Sequence, residues 1–164
     1  MAKKPSNKLQ PGRQILATNR KARHNYSILD VFEAGVVLLG TEVKSLRDGK
    51  ASLADAYATV DDGEVWLRNL HIPEYHHGSW TNHEPRRNRK LLLHRGQIDM
   101  LIGKIKDGNL ALVPLSMYFF EGKVKVELAL ARGKQAHDKR QDMATRDAQR
   151  EVLRELGRRA KGMT

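Results

Sequence analysis

The sequence predicts a mainly β fold, an antiparallel barrel of about six strands with two short helices, extended at both ends by basic segments. Two observations support the barrel: short apolar stretches bounded by turn residues, and two helical patterns that stand between strand pairs without a βαβ rhythm. The third observation is the distribution of charge. Residues 1–24 carry seven basic and no acidic residues, residues 132–164 carry ten basic and five acidic, and the segment between them is nearly neutral.

The N-terminal extension is predicted over residues 1–18. Residues 1–14 mix Lys, Pro, Ser, Asn and Gly with almost nothing apolar, so burial does not offset the entropy of ordering and the segment should be mobile. A solvated leader without a partner is the alternative, and the absence of acids up to His24 argues against it. The fold is expected to begin near Asn25, and the barrel is assigned to residues 19–132.

The first barrel segment covers residues 26–39. Its aromatic and β-branched residues cluster around Ala34-Gly35, which predicts two strands joined by a tight turn. Thr41 is a candidate N-cap for a short helix over Glu42–Asp48. Gly49 stands where a left-handed residue would end that helix.

A hairpin is predicted next. Two apolar stretches, Tyr57–Val60 and Val65–Ile72, flank Asp61-Asp62-Gly63. The Asp-Gly step supplies the positive φ that a tight hairpin turn prefers. Residues 73–90 are then expected to form a polar, basic loop.

The second helix has the clearest local pattern in the chain. One apolar stripe with helical spacing is formed by Ile98, Leu101, Ile102 and Ile105. The helix is expected to end at Asp107-Gly108.

Two strands complete the barrel. Leu110–Phe120 contains Pro114, which lacks a backbone donor and predicts an edge strand or a bulge. Lys123–Ala131 alternates strictly, with one apolar face and one polar face. The apolar face comprises Val124, Val126, Leu128 and Leu130, and the polar face shows Lys123, Lys125 and Glu127. Together these elements predict a small barrel of the oligonucleotide-binding type.

The C-terminal tail, residues 133–164, has a helical pattern without an apolar face of normal size. Asp138 and Gln141 resemble a capping box, and arginines recur every four residues beyond them. The repeated arginines are Arg146, Arg150, Arg154 and Arg158. Because the apolar stripe is mostly alanine, an undocked helix should be marginal in water, and we expect the tail to fold when it binds. A helix packed permanently on the barrel is the alternative.

Composition narrows the class of protein. The chain has no cysteine, which excludes disulfides, thiolate zinc sites and cysteine nucleophiles and favours an intracellular, cytoplasmic protein. The N-terminal residues lack the apolar stretch of a signal peptide, and the longest apolar run, Leu110–Phe120, is far too short to span a membrane. Basic extensions on a neutral body are typical of proteins that bind nucleic acid.

Histidines are the candidates for a metal site or for catalysis. Five of them lie within 24 residues: His71, His76, His77, His83 and His94. They lack the paired spacing of a zinc finger or the motif of a zinc hydrolase, so no metal is expected. His24 and His137 could act as the acid and base of a ribonuclease, but nothing in the sequence brings them together, and no catalytic residue is assigned.

The aromatic content indicates which nucleic acid is bound. Proteins that bind single strands stack bases on aromatic rings, and this chain has nine such residues, several of them within apolar runs. The one cluster, Tyr118-Phe119-Phe120, fits core packing as well as a stacking platform. Few free rings with abundant Arg and Lys favour folded RNA, recognised by shape and backbone.

Six segments, in order and correctly spaced, resemble the small protein B family, the SsrA-binding proteins of bacteria. They are Asn19–Tyr26, Phe32–Gly35, Gly40–Arg47, Arg89–Leu93, Leu115–Tyr118 and Gly133–Arg140. The resemblance implies an oligonucleotide-binding-type barrel that binds the tRNA-like domain of transfer-messenger RNA and delivers it to stalled ribosomes. It implies no enzyme activity and no cofactor. We expect a cytoplasmic monomer.

The resemblance also implies site residues. On or beside the RNA-binding face it places Asn19, Arg20, His24, Glu33, Leu92, His94 and Lys125. The tail residues expected to enter the ribosomal decoding centre are His137, Asp138, Lys139 and Arg140. The arginines of the predicted tail helix, Arg146 to Arg158, would then follow the empty mRNA channel. Glu33 does not follow from charge, since an acid repels phosphate, and we expect it to accept from base or ribose groups or to orient a nearby arginine.

Two alternatives remain at this point. One is a general RNA-binding barrel associated with ribosomes, and the other is a ribonuclease. Binding of a folded tRNA-like RNA is compared with binding of an unstructured RNA of equal length, and both RNAs are then inspected for cleavage. The result separates the SsrA-binding function from these two alternatives.

Overall fold

The computed structural model describes residues 12–49, 51–78, 82–134 and 136–161. Within these ranges the chain forms seven strands and four helices, and it divides into two compact units, one up to Gly133 and one from Lys134. In chain order the elements are β1 (Gln14–Thr18), α1 (Ala22–Asn25), β2 (Tyr26–Val36), α2 (Gly40–Arg47), β3 (Tyr57–Asp61), β4 (Glu64–Arg68), β5 (Arg89–Leu92), α3 (Arg95–Asp107), β6 (Leu110–Phe120), β7 (Lys123–Gly133) and α4 (Ala136–Lys161).

The strands of the first unit form an antiparallel ring. Neighbours follow the order β6, β3, β4, β5, β2 and β7, and β7 pairs again with β6, so six strands close on themselves. The closure is narrow at two places, since β3 meets β6 through Ala58 and Leu112, and β5 meets β2 through two residue pairs. The predicted mainly β, barrel-like fold is confirmed.

The core fills the inside of this ring. Strand β7 supplies one face of it, because the predicted alternation holds and its inward residues are at most 8 % exposed. They are Val124, Val126, Leu128 and Leu130. Helix α3 closes the core through Leu101, which is fully buried at the centre of the predicted apolar stripe.

The N-terminal extension, predicted over residues 1–18, includes residues that belong to a strand. Gln14–Thr18 forms β1 and pairs with residues 116–119 of β6, outside the ring. The sequence signal is weak because Ile15 and Leu16 are the only large apolar residues in this strand. Residues 1–11 of the predicted extension lie outside the described residues.

Two predicted strands are one. Residues 26–36 form the single strand β2, which pairs with β7 from Tyr26 to Gly35 around a bulge between Ile28 and Asp30. Gly35 is not a turn residue: a Cβ there would lie 3.4 Å from the Cβ of Leu92, so glycine permits close approach of β5. The prediction of a turn at Ala34-Gly35 was therefore wrong.

The first predicted helix exists, with a different cap. Helix α2 begins at Gly40, and the Leu39 N–H donates to Glu42 Oε1 at 2.8 Å. Thr41, the predicted cap, has its Oγ1 2.9 Å from His83 Nδ1 instead. Gly49 adopts φ +81°, as its predicted role at the helix end requires.

The hairpin and the proline bulge agree with prediction. Asp62 and Gly63 both have positive φ, 51° and 74°, and join β3 to β4. The second hairpin strand ends at Arg68, earlier than the predicted Ile72. Pro114 precedes a register shift between β6 and β7, so of the two predicted alternatives the bulge is correct.

Helix α4 makes up almost all of the second unit. It is helical over Ala136–Lys161, in line with the four-residue repeat in the sequence. At its start Lys134 Nζ forms an ion pair with Asp142 Oδ2, and Thr145 Oγ1 donates to the Gln141 carbonyl at 2.9 Å.

Candidate RNA interface

One surface of the barrel combines polar side chains from three strands. We call it the outer face: the residues of β2, β7 and β6 that point away from the core. Because residues paired across an antiparallel ladder point the same way, Lys125 and Glu127 of β7 share this face with their partners on both sides. The partners on β2 are Gly35 and Glu33, and those on β6 are Tyr118 and Ser116.

Glu33 is the centre of this face. Its Oε2 accepts a hydrogen bond from Tyr118 Oη at 2.5 Å and one from Arg13 Nη2 at 3.0 Å. Lys125 Nζ lies 3.8 Å from its other oxygen. The Arg13 guanidinium stacks on the Tyr118 ring, with its carbon 4.3 Å from the ring centroid. Glu33 thus joins three strands and two cations.

A second carboxylate stands directly beside the first. Glu127 of β7 is the register partner of Glu33, and like charges in that relation repel. Ser116 Oγ donates to Glu127 Oε2 at 3.2 Å, which satisfies one of its oxygens. The cations around Glu33 therefore also offset repulsion between the two acids.

Tyr118 stays a donor under all ordinary conditions. Burial raises the pKa of its hydroxyl, and the hydrogen bond to Glu33 raises it further. The phenol therefore keeps its proton and holds the Glu33 carboxylate in one position. The sequence was compatible with either core packing or base stacking for Tyr118. The structure shows its ring buried, with the Arg13 guanidinium on its face.

A groove adjoins this cluster. It has a volume of about 620 Å³ and is lined by both apolar and polar residues. Its lining includes four of the predicted RNA-binding residues, namely Glu33, Leu92, His94 and Lys125. These residues come from β2, β5, the start of α3 and β7, so the fold brings together what the sequence separates by more than 90 positions.

The groove rim is set by β5 and α3. In β5 the side chains alternate, so that Arg89 and Leu91 are buried while Leu92 is 53 % exposed. His94 directly precedes α3, and its backbone N–H donates to Gln97 Oε1 at 3.2 Å. An exposed leucine beside an imidazole and a lysine suits a ligand that offers both an apolar surface and phosphates.

A buried ion pair holds β5 in place. Glu42 of α2 and Arg89 are both fully buried and form a charge-assisted hydrogen bond, and Arg87 donates to the other Glu42 oxygen at 2.5 Å. Arg89 also donates to the Leu70 carbonyl at 2.6 Å. Burial acts to raise the pKa of Glu42, but the hydrogen bonds from Arg87, Leu39 and Arg89, together with the positive charge of Arg89, outweigh it, and the pKa lies below its ordinary value.

This network corrects one prediction. Residues 73–90 were expected to form a polar, basic loop, but strand β5 begins at Arg89. Arg89 is buried in the interior, and Lys90 Nζ pairs with Glu64 Oε1 at 2.9 Å. No local pattern distinguishes Arg89 from its neighbours, because its partner lies 47 positions away in Glu42.

The three N-terminal site residues lie at the far end of the outer face. Asn19 is buried, and its Nδ2 donates to the Pro114 carbonyl at 3.1 Å. Ala22 of α1 packs on a second apolar cluster that includes Ala129, two residues along β7 from Glu127 on the same face. Arg20 is exposed and His24 is half-buried. The Glu33 cluster therefore lies between these residues and the groove.

The tail residues form a separate set on α4. Lys139 is half-buried and Arg140 is exposed, as are the four repeated arginines, Arg146, Arg150, Arg154 and Arg158. Acids of the same helix, Asp147, Glu151 and Glu155, lie among the arginines. The side chains of His137 and Asp138 lie outside the described residues.

The histidine cluster does not assemble around a common point. His83 is buried, with its Nε2 2.9 Å from the Ile72 carbonyl oxygen and its Nδ1 beside Thr41, so it serves the core. The rings of His76 and His77 lie 4.0 Å apart in an exposed loop. Across the described part of the chain, no three residues of metal-ligating type stand close enough to hold an ion.

The apolar character of the helices was compared with what a membrane span requires. None of the helices within the described ranges combines the length and apolar character that crossing a membrane requires.

Comparison with known proteins fits this geometry. Residues 16–158 match the family model described as SmpB protein. The SsrA-binding protein of Mycolicibacterium vanbaalenii is 79 % identical over 164 residues, which cover all of this chain and 99 % of that protein. The SsrA-binding protein of Mycobacterium tuberculosis is 85 % identical over 153 residues, covering 93 % of this chain and 96 % of that one.

A solved structure agrees at the level of the fold. A chain from work described as "tmRNA-SmpB: a journey to the center of the bacterial ribosome" is 53 % identical, with a TM-score of 0.61. The match covers 73 % of this chain and 84 % of that chain. The family model spans most of the sequence and the curated relatives match it almost end to end, so the chain belongs to the SmpB family of SsrA-binding proteins.

Proposed function

We propose that this chain binds the tRNA-like domain of transfer-messenger RNA and delivers it to stalled ribosomes for trans-translation, which rescues the ribosome and tags the nascent peptide. Its curated relatives are named for binding SsrA, and the matching structure is of tmRNA-SmpB and the bacterial ribosome. The chain acts as an RNA-binding adaptor without catalytic activity, in the cytoplasm and as a monomer.

One observation carries the RNA-binding part of the proposal. Four residues that the resemblance assigns to the RNA-binding face line a single groove, and a cluster of Arg13, Glu33 and Lys125 adjoins it. The outer face is rigid, since it is built on paired strands. A rigid surface that offers cations and an apolar groove suits the backbone and exposed edges of a folded RNA.

The tail has a different part in the proposal. His137, Asp138, Lys139 and Arg140 enter the decoding centre, and the arginine repeat of α4 follows the mRNA channel. Support comes from the repeat itself: exposed arginines every four residues along one helix meet phosphates at regular intervals. The tail is proposed to become a stable helix when it docks.

A gel-shift comparison tests the RNA-binding proposal. The full chain is titrated against a transcript of the tRNA-like domain and against an unstructured RNA of equal length. We expect the tRNA-like domain to bind at least about tenfold more tightly, because a folded RNA matches the rigid face at several points. Equal affinity for both RNAs would contradict the proposal and favour a general RNA-binding barrel.

The same gel tests for a nuclease. The RNA is recovered after incubation and inspected for cleavage. We expect it to stay intact. Cleavage that disappears in a His24→Ala variant would overturn the adaptor assignment and establish a ribonuclease.

A further inference from the structure

Arg13 has no assigned role, yet it is held in a defined position on the outer face. It directly precedes β1, whose first residue pairs with Phe119 of β6. Its guanidinium lies over the Tyr118 ring, and its Nη2 donates to Glu33. Stacking and an ion pair together fix the plane of the guanidinium, which a flexible basic extension would leave free.

The contacts of Arg13 leave donors unused. Its Nε is buried and has no hydrogen-bond partner within the described residues, and the side chain is 20 % exposed. A guanidinium has five N–H donors. Glu33 accepts from Nη2 only, so the terminal nitrogens keep N–H donors for a phosphate on this face, whereas the buried Nε is out of its reach.

Charge points the same way. The middle of the outer face has two acids facing each other, Glu33 and Glu127, and two cations near them, Arg13 and Lys125. Without Arg13 this region would carry a net negative charge between the groove and the α1 end. A phosphate backbone crossing the face would then meet repulsion at its centre.

We propose that Arg13 is a further RNA-binding residue that contacts a phosphate of the folded RNA, and that Glu33 acts as its positioning residue. This inference rests on the proposed function, because it names a cation that lets RNA phosphates approach Glu33 and Glu127. Glu33 sets the guanidinium plane through Nη2 and through Tyr118, and the remaining edge of Arg13 faces the RNA. Removing Glu33 therefore weakens binding although it removes a negative charge.

The test is a double-mutant cycle with a salt titration. Arg13→Ala, Glu33→Gln and the double variant are compared with the unaltered full chain for binding a transcript of the tRNA-like domain. We expect Arg13→Ala to bind about tenfold more weakly and to lower the slope of log affinity against log salt by about one. Arg13→Lys should keep the slope and lose part of the affinity, because it retains charge without the planar fork.

The cycle isolates the role of Glu33. We expect Glu33→Gln to weaken binding about threefold or more, and Arg13→Ala to cost less than about threefold in the Glu33→Gln background. Arg68→Ala is the matched control, since Arg68 lies on β4, across the ring from β7, and pairs with Asp61 of β3. Its affinity and salt slope should stay close to those of the unaltered chain.

Two outcomes would overturn the inference. If Arg13→Ala keeps the affinity and the salt slope while its melting temperature falls, Arg13 serves folding alone. If Glu33→Gln binds more tightly than the unaltered chain, Glu33 acts by repulsion and positions nothing. A failure of the proposed function itself is distinguishable, because then the unaltered chain would not prefer the tRNA-like domain over unstructured RNA.

Discussion

The outer face of the barrel and the tail helix hold basic residues in opposite ways. On the outer face, Arg13 and Lys125 are fixed by Glu33, a residue of another strand. On α4, exposed arginines have acids of their own helix as neighbours, at helical spacing. Opposite charges at that spacing on an exposed helix contribute only about 0.3–0.5 kcal/mol per pair. The barrel surface is therefore organised before RNA arrives, whereas we propose that the tail helix becomes stable only when it docks.

The largest difference between the two regions should appear when the same residue type is replaced in each. Arg89→Met removes the buried cation that pairs with Glu42 Oε2 and leaves that oxygen without its donor, so we expect a loss of about 3–5 kcal/mol in unfolding free energy by urea titration. Arg150→Met, on exposed α4, should change it by less than about 0.5 kcal/mol. Equal losses of unfolding free energy in both variants would refute the distinction between the interior of the barrel and the tail helix.

Acid should act on the barrel through Glu42. Its pKa is lowered in the folded chain, so its contribution to stability is complete above the pKa it has when unfolded and is lost as pH falls through the folded value. We expect the unfolding free energy to decline below about pH 4. This decline should be smaller in Glu42→Gln. It should persist in Glu64→Gln, a control that removes an exposed acid paired with Lys90.

A change in the groove should affect RNA binding without affecting the fold. Leu92 is 53 % exposed, so Leu92→Ser should leave the melting temperature within a few degrees. We expect affinity for the tRNA-like domain to fall about tenfold, since the apolar rim contact is lost. Leu153→Ser on α4, where Leu153 is 67 % exposed, is the matched control and should leave this affinity unchanged. An equal loss in both variants would mean that the groove has no special part.

The smallest effect concerns the order of the tail. Gly157 lies within α4, and a Cβ placed there meets no atom within 4 Å. Gly157→Ala should stabilise the helix by about 1 kcal/mol, which slows amide hydrogen exchange near residue 157 about fivefold. Exchange in β7 should not change. If the tail amides are already as protected as those of β7, the tail is a permanent helix.

The sequence predicted elements whose causes are local. The stripe around Leu101 and the turn at Asp62-Gly63 are determined by spacing and by backbone preference, and both were found. The alternation of β7 was equally visible, because one of its faces is entirely apolar. The bulge at Pro114 follows from a missing donor.

Other features depend on distant partners and were missed. Strand β1 forms because the edge of β6 is available to it, and β2 is continuous because nine of its residues pair with β7. The burial of Arg89 is explained by Glu42, 47 positions away, and by the Leu70 carbonyl, 19 positions away. For the site, the motif residues of the groove were predicted, but Arg13 was not, since only the pairing of β1 brings it to Tyr118 and Glu33.

The central claim is that the barrel selects the RNA and the tail does not. The most direct measurement is the dissociation constant for the tRNA-like domain, and for unstructured RNA of equal length, of a chain that ends at Gly133, where the first unit ends. We expect this chain to bind the tRNA-like domain within about threefold of the full chain and to keep its preference, while peptide tagging on stalled ribosomes is abolished. Loss of the preference on truncation would contradict the account and make the tail an ordinary phosphate clamp.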